Sequence, residues 1–218
     1  IKPHTRRHEQ TVQNQPIDLI TVSREFGAGG SDFAVELGDR LGWPVLDQDI
    51  IRRVAQRLKL QVKAVERLDE HPPNWLARVT SALLIAPPEM PVGIDTPHML
   101  HMDSVAEAAQ SVVVEAAQNP PLIIVGHSGQ NIFATRPGAL HVRLVAPLES
   151  RVERLMARFG WDHDTAADRA RHIDADRAAY SQRYYHREWH DPLLYHVVID
   201  TGRVSVAEAA KMIEAMAR

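Results

Sequence analysis

The chain contains no cysteine, so disulfides, thiolate metal sites and thiol catalysis are excluded. Lysine is nearly as scarce. Lys2, Lys59, Lys63 and Lys211 are the only four, which leaves 21 of the 25 basic residues as arginine. A coding bias would produce the same preference. Whatever its origin, the cations offered to any phosphate are mostly guanidiniums, which grip oxygen pairs through a rigid fork and stay charged. A strong charge of one sign is also missing. The net charge of -3 over 218 residues gives no global reason to expect nucleic acid or an acidic membrane surface as a partner. No apolar run approaches the ~20 residues of a membrane span, and the polar start does not resemble a secretion signal, so the cytoplasm is the expected compartment. The twelve histidines are scattered without H-E-x-x-H or comparable spacing, and no zinc site is expected.

With 44% hydrophobic and 24% charged residues, the composition is that of a soluble globular chain. The length suits one α/β domain with a small inserted segment. Residues 1–16 read as a flexible tail, and 17–218 as the domain. An apolar strand, Ile17-Asp18-Leu19-Ile20-Thr21-Val22, leads into the loop Ser23-Arg24-Glu25-Phe26-Gly27-Ala28-Gly29-Gly30-Ser31. Phe33, Ala34, Leu37 and Leu41 then recur on one face of a helix. This order gathers backbone N–H groups and a helix N-terminus around one point, which suits a phosphate. It follows the P-loop pattern G-x-x-x-x-G-K-[ST] with two departures: Arg24 stands at the first glycine and Gly30 at the lysine. Gly27, Ala28, Gly29, Gly30 and Ser31 are the candidate nucleotide contacts. Ser31 also holds the position whose hydroxyl would ligate Mg²⁺. Arg24 is the candidate replacement for the lysine, and a pairing of Arg24 with a neighbouring carboxylate is the plainer alternative.

Further strands follow at Trp43–Leu46, at Leu122-Ile123-Ile124-Val125, over 140–146 and over 195–200, with amphipathic helices between them. Alternation of this kind predicts a doubly wound parallel sheet flanked by helices. Capping boxes begin at Ser104 and Ser205. Prolines at 72, 73, 87, 88, 91 and 97 make 71–103 read as an inserted, acceptor-binding segment. In open α/β sheets ligands bind at the carboxyl ends of strands. Asp47 and Arg53 after the second strand, and His127 after Gly126, are therefore acceptor candidates, with helix capping as the alternative for Asp47. Eight arginines lie between 151 and 187. Asp174, Arg177, Tyr180 and Tyr184 share helical spacing there, with Arg183 close by. The stretch 162–191 reads as an arginine-rich helical lid, or alternatively as a solvated, salt-bridged face. As a lid it would bring Arg177 to the reacting phosphate, Arg171 to the nucleotide, and Asp174 and Arg183 to the acceptor.

Three stretches together resemble the cytidylate kinase-like family, a branch of the P-loop nucleoside monophosphate kinases. They are Ile20 to Gly30, Pro44-Val45-Leu46-Asp47-Gln48-Asp49-Ile50-Ile51, and Ile123-Ile124-Val125-Gly126; the D-x-x-R-x-x-Y run from Asp174 and Trp189 extend the likeness. The resemblance implies a P-loop NTPase-type core, an acceptor-binding insertion and an arginine lid. It implies Mg²⁺ and ATP as phosphoryl donor, with CMP or dCMP as acceptor. It places Arg53 where such kinases hold the acceptor, and His127-Ser128 where they carry an Arg-Asp pair. The expected reaction is phosphoryl transfer to CMP, dCMP or a related small molecule. Two alternatives stand beside it: a kinase of the same fold with a non-nucleotide acceptor, and a non-catalytic nucleotide-binding regulatory module. Expected partners are a nucleotide and a small-molecule acceptor, with neither nucleic acid nor membrane and with a homodimer left open.

Overall fold

The computed structural model describes residues 15–47, Arg53 and 102–218. Over these residues the chain runs β1 (Leu19–Arg24), α1 (Gly30–Leu41), β2 (Val45–Leu46), α2 (Met102–Ala116), β3 (Leu122–Val125), α3 (Gly129–Ile132), β4 (Ala139–Val145), α4 (Leu148–Phe159), α5 (His163–Tyr185), a 3-10 turn (Pro192–Leu194), β5 (Val197–Asp200) and α6 (Val206–Ala217). The five strands form one sheet in the order β2-β3-β1-β4-β5. Every pairing is parallel, with Ile20 opposite Ile123 on one side and Leu140 on the other. The doubly wound parallel sheet read from the sequence is the observed fold. The expected insertion over 71–103 and the apolar stripe over 50–58 lie outside the described residues, apart from Arg53 and the first turn of α2.

β1 is central because both of its neighbours cover it, and its residues are apolar enough to accept that. Leu19, Ile20 and Val22 are almost fully buried. Alternate side chains face opposite layers. Ile20 and Val22 pack with Phe33, Ala34 and Leu37 of α1 and with Ala209, Ala210 and Ile213 of α6. Leu19 faces the other layer, where Ala109, Val112 and Val113 of α2 meet Leu122 and Ile124. A third cluster joins α4 to α5 through Val152, Leu155, Ala166, Ala167 and Ala170, with Phe26 of the loop packed against it. That last cluster ties the arginine-rich helix to the phosphate-type loop.

The ends of α6 follow the expected chemistry. Ser205 and Glu208 form the full capping box. α2 starts at Met102, two residues ahead of the Ser104 cap, a difference of the size that fraying helix ends commonly show. The long polar segment after 162 is one continuous helix, capped by Asp162 accepting from the Thr165 N–H. Among the described residues no helix is long and apolar enough to cross a membrane.

One core contact is titratable. His141 of β4 is buried, its Nδ1 lies 2.8 Å from the Thr21 hydroxyl, and its ring stacks on His196. The His141 N–H donates to His196 Nδ1 at 2.8 Å. Burial, then His196, push His141 down to about 4, against the pull of a backbone hydrogen bond at Phe133. An unfolded histidine takes its proton near pH 6.5. The unfolded chain therefore binds more protons throughout the window from 6.5 to 4, and stability falls as pH drops through it. The expected loss from His141 is on the order of 3 kcal/mol at pH 4. Thermal melts across this range should show the decline, and the non-titrating His141→Gln variant should show a shallower one.

Candidate functional site

The loop between β1 and α1 stands at the carboxyl end of the central strand. Gly27 (φ 86°) and Gly29 (φ 79°) take left-handed backbone, which lets the chain turn sharply into the helix. Gly27 also has no room for a side chain, since a Cβ there would lie 2.9 Å from Arg151 Cβ. The first-turn N–H groups of Gly30, Ser31 and Asp32 have no acceptor within α1 by helix geometry. Such first-turn N–H groups are anion donors.

Around the loop's mouth the structure brings together Arg24, Ser31, Asp47, His127, Asp174 and Arg177. The Ser31 hydroxyl donates to Asp47 Oδ2 at 2.8 Å, and Arg24 Nη2 lies 3.6 Å from Asp47 Oδ1. The stem of Arg24 runs directly over Gly30, and its head reaches the backbone of Gly126 at the end of β3. Arg177 Nη1 donates to the Arg24 carbonyl at 2.7 Å and lies 3.6 Å from Asp174. Burial pushes Arg24 down from the usual guanidinium range, with Asp47 and Asp174 opposing. Burial and then Arg24 push Arg177 down to about 9, so Arg177 remains a cation at neutral pH.

His127 sits in a tight turn. Gly126, His127 and Ser128 all have positive φ, of 75°, 51° and 55°, a conformation that costs energy at the two non-glycine positions. Burial, then Arg24, then Arg177 push His127 down to about 3. It is a neutral imidazole at physiological pH. It offers the site hydrogen bonding but no charge.

Asp174 is the clamp of the loop. One carboxylate oxygen accepts from the Phe26 N–H at 2.8 Å, and the other from Arg151 Nη1 at 2.6 Å, the length of a charge-assisted bond. Burial pushes the carboxyl up, against the Phe26 N–H, Arg177 and Arg151. Arg151 in turn donates to the Phe26 and Ala146 carbonyls and lies 3.6 Å from Glu25. Glu25 accepts from the Ala146 N–H and lies 3.8 Å from Arg143. Arg143 is buried beneath the indole of Trp189 at 4.1 Å and donates to the Trp189 carbonyl and the Tyr195 hydroxyl. The Trp189 N–H donates to Ser23 at 3.1 Å. Glu25, Arg143 and Arg151 are additions to the sequence reading. Arg143 had left a trace: with His141 it is one of only two polar residues in an otherwise apolar, central-type strand.

Three other expected site residues are exposed. Arg171 is exposed and pairs with Asp168 on the outer side of α5 at 3.2 Å. Arg183 is exposed with its guanidinium 5.3 Å from the Tyr184 ring. Arg53 is helical and exposed.

The cytidylate kinase-like family model matches residues 19–203. The chain belongs to the cytidylate kinase-like family. The match begins at β1 and takes in the loop, the Ser31–Asp47 pair and α5. Among solved structures, an uncharacterized protein from Eubacterium ventriosum superposes with a TM-score of 0.66 at 20% identity, covering 91% of this chain and 97% of that one. A shikimate kinase from Bacteroides thetaiotaomicron gives a TM-score of 0.54 at 10% identity, covering 93% of this chain and 98% of that one. A shikimate kinase from Acinetobacter baumannii, solved with shikimate, gives 0.50 at 12% identity, covering 92% of each chain. These likenesses identify a P-loop kinase fold. Among curated proteins, uronate isomerase from Corynebacterium glutamicum is 28% identical over 91 residues, 42% of this chain and 18% of that enzyme. The chain thus spans less than a fifth of that relative, and the match carries no activity across. Family and fold together are those of kinase-type phosphotransferases.

The clamp has a measurable consequence. Asp174→Ala would strand the Phe26 N–H and leave Arg151 and Arg177 short of a counter-charge in a largely buried site. Breaking such a pair typically costs ~3 kcal/mol or more. Chemical denaturation should show a loss of that size, and hydrogen exchange at residues 25–28 should quicken more than exchange in β1.

Proposed function

We propose that this protein transfers the γ-phosphoryl group of Mg·ATP to CMP, dCMP or a related small-molecule acceptor. The observation that carries the reading is the loop mouth itself. There, backbone donors, two neighbouring guanidiniums and the Ser31–Asp47 pair converge at the carboxyl end of the central strand. Phosphoryl transfer asks a protein mainly for positioning and charge neutralisation, and this site offers both.

The charge count supports an anionic ligand. Among the described residues, Arg24, Arg143, Arg151 and Arg177 meet three carboxylates, those of Glu25, Asp47 and Asp174. Among the described residues one positive charge is left over in this partly enclosed site, and a bound phosphate would balance it. The donor set also fits Mg²⁺. A hydroxyl and a carboxylate oxygen 2.8 Å apart are hard ligands, and Mg²⁺ usually takes one or two carboxylates with phosphate and water. When bound there, the ion would neutralise charge on the β- and γ-phosphate oxygens.

In this reading the loop N–H groups of residues 27–31 cradle the donor phosphates, and Arg24 supplies the fixed cation beside them. The acceptor oxygen forms the new P–O bond as the bond to the ADP oxygen breaks, and Arg177 offsets the charge spread over the transferring group. Asp47 and Arg53 are proposed to orient the acceptor, with His127 as a neutral contact. Arg171 and Arg183 remain proposed nucleotide and acceptor contacts that require movement of the exposed side of α5. A second reading has its own support: the neutral His127 beside the reaction centre suits a hydroxylated, non-nucleotide acceptor as well as a monophosphate.

Mg·ATP should raise the melting temperature, and CMP should raise it further if it is the acceptor. Direct detection of the phosphorylated product with CMP and dCMP would then complete the case. Nucleotide binding without turnover on any monophosphate would overturn the nucleotide acceptor, and turnover on a small alcohol would establish the second reading. Arg177→Ala should lower kcat by ~10³-fold with little change in ATP affinity. Arg53→Ala should instead raise the acceptor KM and leave the KM for ATP nearly unchanged.

A further inference from the structure

The two departures from the P-loop pattern lie against each other. A Cβ built on Gly30 would lie 2.5 Å from Arg24 Cγ and 3.0 Å from Arg24 Cβ. Those atoms are the root of the arginine side chain, anchored to the last residue of β1. They cannot swing away as a flexible tip can. At the far end of the same side chain, a Cβ on Gly126 would overlap Arg24 Nη1. Between these two glycines the guanidinium passes from the loop to the ends of β2 and β3, where Asp47 lies 3.6 Å away.

We propose that Gly30 and Gly126 are positioning residues that hold open a slot for Arg24, so that this arginine is the loop's phosphate cation and a side chain at position 30 is excluded. The missing lysine is then a relocation rather than a loss. The positive charge has moved from the first turn of α1 to the end of β1, and only one of the two positions can carry a long side chain at a time. Gly30 has no positive φ, so its backbone does not itself demand glycine. The demand comes from Arg24. At Gly126 both act, because its φ of 75° favours glycine whatever its neighbours.

The slot stands on geometry alone, while the phosphate role of Arg24 rests on the kinase reading, and two readouts separate them. The first is thermal stability in a double-mutant cycle of the ligand-free protein. Gly30→Ala should lower Tm by roughly 3–8 °C in the wild-type background, as overpacking does in a chain of this size. In the Arg24→Ala background the same change should cost less than half as much, because only the Cβ–Cβ contact remains. Equal costs in the two backgrounds would overturn the slot. The second readout is Mg·ATP affinity by calorimetry. Arg24→Ala should bind at least ~10-fold more weakly than wild type, as should Gly30→Lys, in which the lysine displaces the arginine. Combining Arg24→Ala with Gly30→Lys should recover affinity relative to either single variant. A purely structural role for Arg24 would produce no such recovery. An unchanged affinity in Arg24→Ala, or a double variant no tighter than Arg24→Ala, would overturn the cation role. If wild type binds no Mg·ATP, the kinase reading and the cation role fall together, and the stability cycle still decides the slot.

Discussion

The guanidinium of Arg24 at the carboxyl end of β1 is the contact around which the site is arranged. Its stem covers Gly30, its head meets Gly126 and approaches Asp47, and its carbonyl accepts from Arg177. A charge this enclosed has to be answered on every side. Asp47 answers it from β2. Asp174 answers it from α5, and in doing so draws Arg177 and Arg151 to the same place. Loop, helix and strand ends are in this sense joined by one electrostatic requirement.

That requirement shapes the arginine-rich helix. α5 reads from the sequence as the heart of a lid, and its Asp174 and Arg177 are in contact with the loop. The apolar cluster of Val152, Leu155, Ala166, Ala167 and Ala170 holds the preceding turns of the helix on α4. In the proposed reaction, a cation held this way would need little rearrangement, which is the condition under which electrostatic stabilisation is most effective. The outer arginines, Arg171 and Arg183, lie on exposed surface, where ion pairs contribute little to stability.

The second network, around Arg143, works at the other side of the loop. Trp189, Tyr195, Ser23 and Glu25 surround that arginine with π faces, a carbonyl, hydroxyls and a carboxylate. It anchors the segment after α5 to the ends of β1 and β4. Taken together, the two networks hold one more cation than carboxylates among the described residues.

Much of the architecture is legible in the sequence because it depends on local pattern. Apolar runs such as Leu122-Ile123-Ile124-Val125 mark buried parallel strands, period-3.6 stripes such as Phe33, Ala34 and Leu37 mark their helices, and glycines 27, 29 and 30 mark the turn between. The family could be read from the same stretches, since their order and spacing survive without any contact being known. Asp47 and Ser31 could be nominated singly, but their hydrogen bond closes a 16-residue separation that no local pattern encodes. The partnership of Asp174 with Phe26 spans 148 residues, and that of Trp189 with Ser23 spans 166. The sequence alone determined the strands, the helices, the loop and the scarcity of lysine. Only the tertiary structure decided which arginines face the loop, because eight of them share one helical region and only long-range packing selects the face that turns inward. It decided, too, why position 30 is glycine: the reason is the side chain of Arg24 lying across it, a steric fact that exists only once β1 and α1 have folded back on each other.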